Sequence, residues 1–149
     1  MTDARIGILN LEMGNLRSVS NAIHSLGFDP EFVAAATELD DLTHLVIPGV
    51  GSFHTAMRRM RSRELVDAIR QFAASGRPLL GLCLGMQLLA TNGREGEVTE
   101  GLDLIPGTVT RFDDALVAAV PHVGWNSVQF TGTHPVLERV RNGVDFYFV

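Results

Sequence analysis

The sequence has no lysine, and in 149 residues it has only one cysteine, one tryptophan and one tyrosine. Without lysine the chain can build neither a Walker-type phosphate loop nor a pyridoxal Schiff base nor a lysine general base. A lone cysteine, Cys83, excludes a disulfide framework and a multi-cysteine zinc site. Charge is sparse as well: 19% of residues are charged, 12 arginines stand against 17 acids, and the formal net charge is −5. Such a mildly acidic chain is a poor general binder of phosphate backbones, so no nucleic-acid partner is expected. No apolar run approaches the roughly 20 residues of a membrane span, and the N-terminus enters Ile6-Gly7-Ile8-Leu9 without a signal-like apolar stretch. No membrane association is expected, and the expected location is the cytoplasm, where a single thiol stays reduced. What is present is 46% apolar, enough for one domain with a sizeable core.

The first two-thirds of the chain alternates short apolar runs with amphipathic stretches. Ile6–Leu9 reads as a buried strand, followed by a helix with Val19, Ala22, Ile23 and Leu26 on one stripe and Gly27 past its end. Phe32–Ala34 and Leu45–Ile47 read as strands, the latter stopped by Pro48-Gly49. One helical stretch is expected from about Phe53 to Ser75, with Leu65, Ala68, Ile69 and Phe72 on its buried side. Leu79–Leu82 is the next strand, and Gly85–Ala90 opens the next helix. Strand and helix in alternation predict an α/β fold with a mostly parallel sheet covered on both faces. After Thr91 the pattern changes. Asn92–Gly101 reads as a polar loop, and Val109–Phe112, Ala118–Val120, Val123–Phe130 and Val144–Val149 read as strands of an antiparallel addition to that sheet. An apolar strand at the very end predicts a chain that continues beyond it.

The chemistry concentrates at Gly81-Leu82-Cys83-Leu84-Gly85, between a strand and a helix. This is the nucleophile-elbow pattern with cysteine in the serine position, and its glycines leave room for a strained, tight turn. The turn should set the thiol at a helix N-terminus, which favours thiolate, and aim the Leu84 N–H at a developing oxyanion. Ile47-Pro48-Gly49-Val50-Gly51-Ser52-Phe53 leaves a neighbouring strand and could offer a second oxyanion donor, although alone it is an ordinary turn. Glu12-Met13-Gly14-Asn15-Leu16 follows the first strand, on the edge where open α/β sheets hold their sites. A cysteine nucleophile needs a base, for which His24, His44, His54, His122 and His134 are the candidates. His24 reads as an exposed helical residue and His44 as structural. His54 lacks an evident orienting partner, His122 reads as a packed or interface residue, and His134-Pro135 starts a helical turn.

These stretches resemble the glutaminase subunit of imidazole glycerol phosphate synthase, a class I (triad-type) glutamine amidotransferase. The resemblance is carried by Met13–Val19, Ile47–Phe53, Pro78–Leu89, Gly101–Gly107, Val120–Asn126 and Phe146–Val149, across nearly the whole chain. It implies a flavodoxin-like amidotransferase fold, read here as the N-terminal portion of a single domain over residues 1–149. It implies that Cys83 attacks the side-chain amide of glutamine and forms a glutamyl thioester. Val50, through a rearranged peptide, and Leu84 would supply oxyanion donors, while Gly49, Gly51 and Gln87 would line the glutamine pocket. Ammonia would pass to a (β/α)₈ cyclase subunit in a heterodimer, with Asn15, Trp125 and Asn126 near that interface, to complete the imidazole ring in histidine biosynthesis. No metal and no cofactor is expected.

Two departures qualify the resemblance. Asn10-Leu11-Glu12 stands where the family has an Asp-Tyr-Gly type stretch, so this loop should differ. The family also continues from Phe-Tyr-Phe-Val into a His-Pro-Glu motif with the catalytic base and its carboxylate, and His134-Pro135-Val136 is not that motif. The chain as written is therefore expected to be nearly inactive alone and to leave a sheet edge open. Two alternatives stay open: a catalytically dead short paralogue that binds or regulates a barrel partner, and an amidotransferase that feeds a different barrel synthase.

Overall fold

The computed structural model describes residues 4–113 and 120–148. Two units emerge, Met1–Arg111 and Phe112–Val149. In the first, β1 (Ile6–Leu9), β2 (Glu31–Val33), β3 (His44–Gly49) and β4 (Leu79–Cys83) form a parallel sheet in the order β2-β1-β3-β4. The helix α1 (Leu16–Ser25) joins β1 to β2, whereas α2 (Phe53–Ser62) and α3 (Leu65–Ala74) join β3 to β4. These connections travel in opposite directions along the sheet. Right-handed crossovers therefore put α1 on one face and α2 with α3 on the other. The order reverses between β1 and β3, so the loops after these two strands, 10–15 and 50–52, flank a topological switch point, where α/β sheets bind ligands.

The face under α2 and α3 holds the core. Leu9, Leu45 and Ile47 pack with Phe53, Ala56, Met57 and Met60 of α2 and with Leu65, Ile69 and Phe72 of α3, all buried. The continuous helix expected over Phe53–Ser75 is two helices. Along α2 the buried residues recur at i, i+3, i+4 and i+7, and the next positions on that stripe are the polar Arg61, Glu64 and Asp67. A break at Glu64, with φ +56°, resets the phase so that Leu65 also faces the core.

The other face carries the row Phe32–Ile8–Val46–Leu80, one residue from each strand in register. Ile8 and Val46 are buried, but Phe32 and Leu80 at the ends are about half exposed, at 51% and 44%. The stripe expected on α1 is accordingly only partly covered. Val19 and Ile23 are half-buried, Ala22 and Leu26 are exposed, and the deepest residue is Ser20. One helix against β1 is too narrow for a sheet four strands wide. Among the described residues β4 pairs only with β3, leaving its other side open.

Four further expectations are corrected. β3 runs through Pro48-Gly49, because β1 pairs with it only up to Val46 and proline's missing N–H is tolerated beyond that point. The helix after β4, α4 (Leu84–Gln87), is one turn long. The segment read as a polar loop contains β5 (Ala90–Gly93) and β6 (Thr99–Glu100), antiparallel to each other. β7 (Ile105–Val109) lies parallel to β5, so these strands form a separate sheet, not an antiparallel extension of the first. In the second unit β8 (Gly124–Val128) and β9 (Val144–Phe148) form an antiparallel pair. The strand expected at Ala118–Val120 lies outside the described residues except for Val120. No helix among the described residues is long and apolar enough to cross a membrane.

Arg77 fastens the loop that leads into β3. Its Nη1 donates to the carbonyls of Leu39, Asp40 and Leu42 at 3.0, 3.1 and 3.0 Å, and its guanidinium lies 4.1 Å from the Phe72 ring centroid. Arg77→Ala leaves three carbonyls without this donor and should lower the unfolding free energy by about 2 kcal/mol, read as a lower urea midpoint with an unchanged slope.

Candidate active site

Cys83 ends β4 with φ +54° and ψ −117°, a backbone conformation that costs a non-glycine residue energy and that this tight turn enforces. The neighbouring glycines have a measurable reason. A Cβ on Gly85 would lie 1.7 Å from the Ile47 carbonyl oxygen, and one on Gly81 would lie 2.6 Å from the Met86 backbone. The first turn of α4 is thus laid against the backbone of β3 and folded back over β4. Cys83 is exposed and not disulfide-bonded. The single turn of α4 is too short for the full macrodipole expected behind the thiol.

The register sets Gly49 opposite Cys83. A Cβ on Gly49 would meet the Leu84 side chain at 3.2 Å, so the two candidate oxyanion segments, Gly49-Val50-Gly51 and Cys83-Leu84, are neighbours. Val50 is 57% exposed, Gly51 has φ +106°, and Gln87 is half-buried on α4. Ser52 caps α2 and accepts from the Thr55 N–H at 3.3 Å. The structure therefore gathers Cys83, Leu84, Gly49, Val50, Gly51 and Gln87 around the C-terminal ends of β3 and β4.

Asn15, across the switch point, caps α1 by accepting the Ser18 N–H at 3.1 Å. Trp125 and Asn126 belong to the second unit. Trp125 is 71% exposed and stands edge-on to Tyr147 at 5.5 Å, and Asn126 Nδ2 lies 3.3 Å from His122 Nε2. None of the five histidines is hydrogen-bonded to Cys83 among the described residues. His24 lies 3.6 Å from Asp29, His44 2.8 Å from Thr43 Oγ1, and His134 accepts the Val136 N–H as the expected turn begins. His54 does have an orienting partner, contrary to expectation: its Nδ1 is 2.9 Å from Glu97 and 3.2 Å from Thr99.

Two supports of the site went unseen in the sequence. The buried Phe53 ring occupies space that side chains on Gly93 and Gly101 would fill, and its N–H donates to Glu95 Oε2 at 2.9 Å. The β5–β6 hairpin thus holds the start of α2 just beyond Gly51. Arg59 in α2 and Arg63, its C-cap four residues on, reach the loop after β1. That spacing was visible, but its target was not.

The glutamine amidotransferase class-I family matches residues 8–143. The imidazole glycerol phosphate synthase subunit HisH of Moorella thermoacetica is 42% identical over 144 residues, covering 97% of this chain and 68% of that protein. The same subunit of Sulfurimonas denitrificans is 42% identical over 147 residues, with 97% and 70% covered. That of Geobacillus thermodenitrificans is 44% identical over 148 residues, with 97% and 69% covered. A solved structure described as a glutamine amidotransferase superposes with a TM-score of 0.73 at 21% identity, over 97% of this chain and 70% of that one, which supports the fold.

Gly85→Ala should prevent the close approach of α4 to β3 and cost more than about 2 kcal/mol of stability. Gly132→Ala, where nothing lies within 4 Å of the added carbon, should change the melting temperature little. Parallel thermal melts of the two variants check this contrast.

Proposed function

The chain belongs to the class I glutamine amidotransferase family, among the HisH subunits of imidazole glycerol phosphate synthase, and from that premise we propose that Cys83 is its nucleophile. In this reading the sulfur adds to the side-chain amide carbon of glutamine. The oxygen of the tetrahedral adduct takes up negative charge and is met by the N–H group of Leu84 and, through a rearranged peptide, by that of Val50. Collapse of the adduct breaks the carbon–nitrogen bond, and the nitrogen leaves as ammonia once protonated. Water then opens the thioester to glutamate and restores the thiol. Gly49, Gly51 and Gln87 border the place where the glutamine would lie.

The observation that carries this reading is the strained, positive-φ Cys83 at the end of β4, in register with Gly49 and walled by glycines that leave no room for a side chain. Such strain persists where neighbouring structure enforces it, and an exposed thiol at such a turn is placed for attack. The relatives' shared name supports the pathway. Ammonia released at Cys83 would pass to a cyclase partner, with Asn15, Trp125 and Asn126 near the contact. An exposed tryptophan standing edge-on to a tyrosine suits such an interface. The family match runs across the boundary between the two units, which supports one amidotransferase domain. A cytoplasmic location fits the reduced thiol that the chemistry requires.

The test is glutamate release by the gene product in complex with the cyclase. Cys83→Ala should lower kcat by about 10⁴-fold, as removal of a triad nucleophile does in hydrolases. Equal rates for variant and wild type would remove Cys83 from the mechanism.

A further inference from the structure

We propose that Glu12, held by Arg59 and Arg63, is a positioning residue that fixes the Gly49-Val50-Gly51 loop beside Cys83. The inference starts from a backbone outlier: Glu12 has φ +56°, a left-handed conformation that a non-glycine residue adopts at a cost of about 1–2 kcal/mol. The surrounding bonds show what enforces it. The Glu12 N–H donates to Asn10 Oδ1 at 2.9 Å. Arg63 donates to the Asn10 carbonyl at 2.8 Å and to Glu12 Oε1 at 2.7 Å. Arg59 donates to the carbonyls of Leu11 and, at 3.1 Å, Glu12, and lies 3.9 Å from Glu12 Oε2. Two cations, Arg59 in α2 and Arg63 as its C-cap, thus hold three consecutive residues of the loop after β1.

What the clamp presents is the next pair of residues. The Met13 Cε atom lies 3.0 Å from where a Cβ on Gly51 would be. A Cβ on Gly14, whose φ is +128°, would lie 3.5 Å from Gly49 Cα and 3.7 Å from the Val50 nitrogen. The loop after β1 is therefore packed directly against the peptide that carries the Val50 N–H. The connection closes on itself: Gly51 leads through Ser52 into α2, α2 carries Arg59 and ends at its C-cap Arg63, and these hold residues 10–12, next to the Met13-Gly14 pair that presses back on Gly49–Gly51. The Val50 peptide has to turn to present its N–H, the backing loop sets where it comes to rest, and misplacement of about 1 Å can cost about 10²-fold in rate. Glu12 is itself 68% exposed, so the ion pairs alone contribute little to overall stability. Their effect is local order.

The catalytic consequence rests on the reading of Val50 as an oxyanion donor, but the mechanical part does not. Glu12→Gly separates position from stability, because glycine accepts φ +56° without strain. In the gene product with its cyclase, this variant should keep or raise the melting temperature. Amide exchange in a peptide spanning Val50–Phe53 should become about fivefold faster, the scale of one lost ion-pair contact. The kcat for glutamine hydrolysis should fall about tenfold while KM rises less, since the Val50 oxyanion contact exists only in the transition state whereas Gly49 and Gly51 also border bound glutamine. Arg63→Gln should reproduce both changes, whereas alkylation of Cys83 by iodoacetamide, which forms no oxyanion, should proceed at the wild-type rate in both variants. Unchanged exchange over Val50–Phe53 would overturn the clamp. Faster exchange with an unchanged kcat would overturn its part in positioning the donor. Neither result bears on whether Cys83 is the nucleophile, which Cys83→Ala decides separately.

Discussion

The site depends on how closely one helical turn lies on the backbone of one strand. The missing Cβ of Gly85 is what lets the start of α4 meet the Ile47 carbonyl, since an added carbon would stand 1.7 Å from that oxygen. That contact forces β4 to turn sharply at Cys83, and the register of β3 and β4 then sets Gly49 opposite it. Neither strand could slip by one residue without moving Gly85 off the Ile47 carbonyl. The thiol, the Leu84 N–H and the loop of Val50 are thus located by backbone packing, the least adjustable kind of contact in a folded chain.

Around this centre the second requirement is to hold a glycine-rich loop still. Gly49-Val50-Gly51 has little side-chain substance of its own with which to fix its place. It is secured from three directions: Ser52 caps the helix that follows, Glu95 receives the Phe53 N–H, and Met13-Gly14 backs the loop from across the switch point. The Phe53 ring, wedged where Gly93 and Gly101 leave space, ties the second sheet to the same helix start. Glycines appear on both sides of this arrangement for opposite reasons, conformational freedom at Gly51 and close approach at Gly85, Gly93 and Gly101.

Much of this was legible in the sequence where a local rule decides the outcome. The elbow at Gly81–Gly85 and the mostly parallel sheet implied by alternating strands and helices depend on glycine sterics and hydrophobic period, which are properties of neighbouring residues. The His134-Pro135 turn was legible for the same reason. The phase break between α2 and α3 was also written in the sequence, in the polar Arg61, Glu64 and Asp67 that would otherwise have faced the core. The extended reading overlooked it because either half alone is a good helix. The β5–β6 hairpin was not legible: Thr91-Asn92-Gly93 has no strand-like period, and its pairing with Ile105–Val109 is a tertiary contact. The partners of His54 and of Glu12 were hidden because they lie far away along the chain. The departure at Asn10-Leu11-Glu12 was noticed as an anomaly, and its meaning required the positive φ and the two arginines.

The central claim is that this elbow forms a covalent glutamyl intermediate through Cys83. The most direct measurement is acid quench of the gene product with its cyclase during glutamine turnover, followed by peptide mass analysis. The account predicts one glutamyl group on the peptide that contains Cys83, labile to hydroxylamine as a thioester should be. Glutamate formation with no adduct on that peptide, or with the adduct on a different residue, would contradict it.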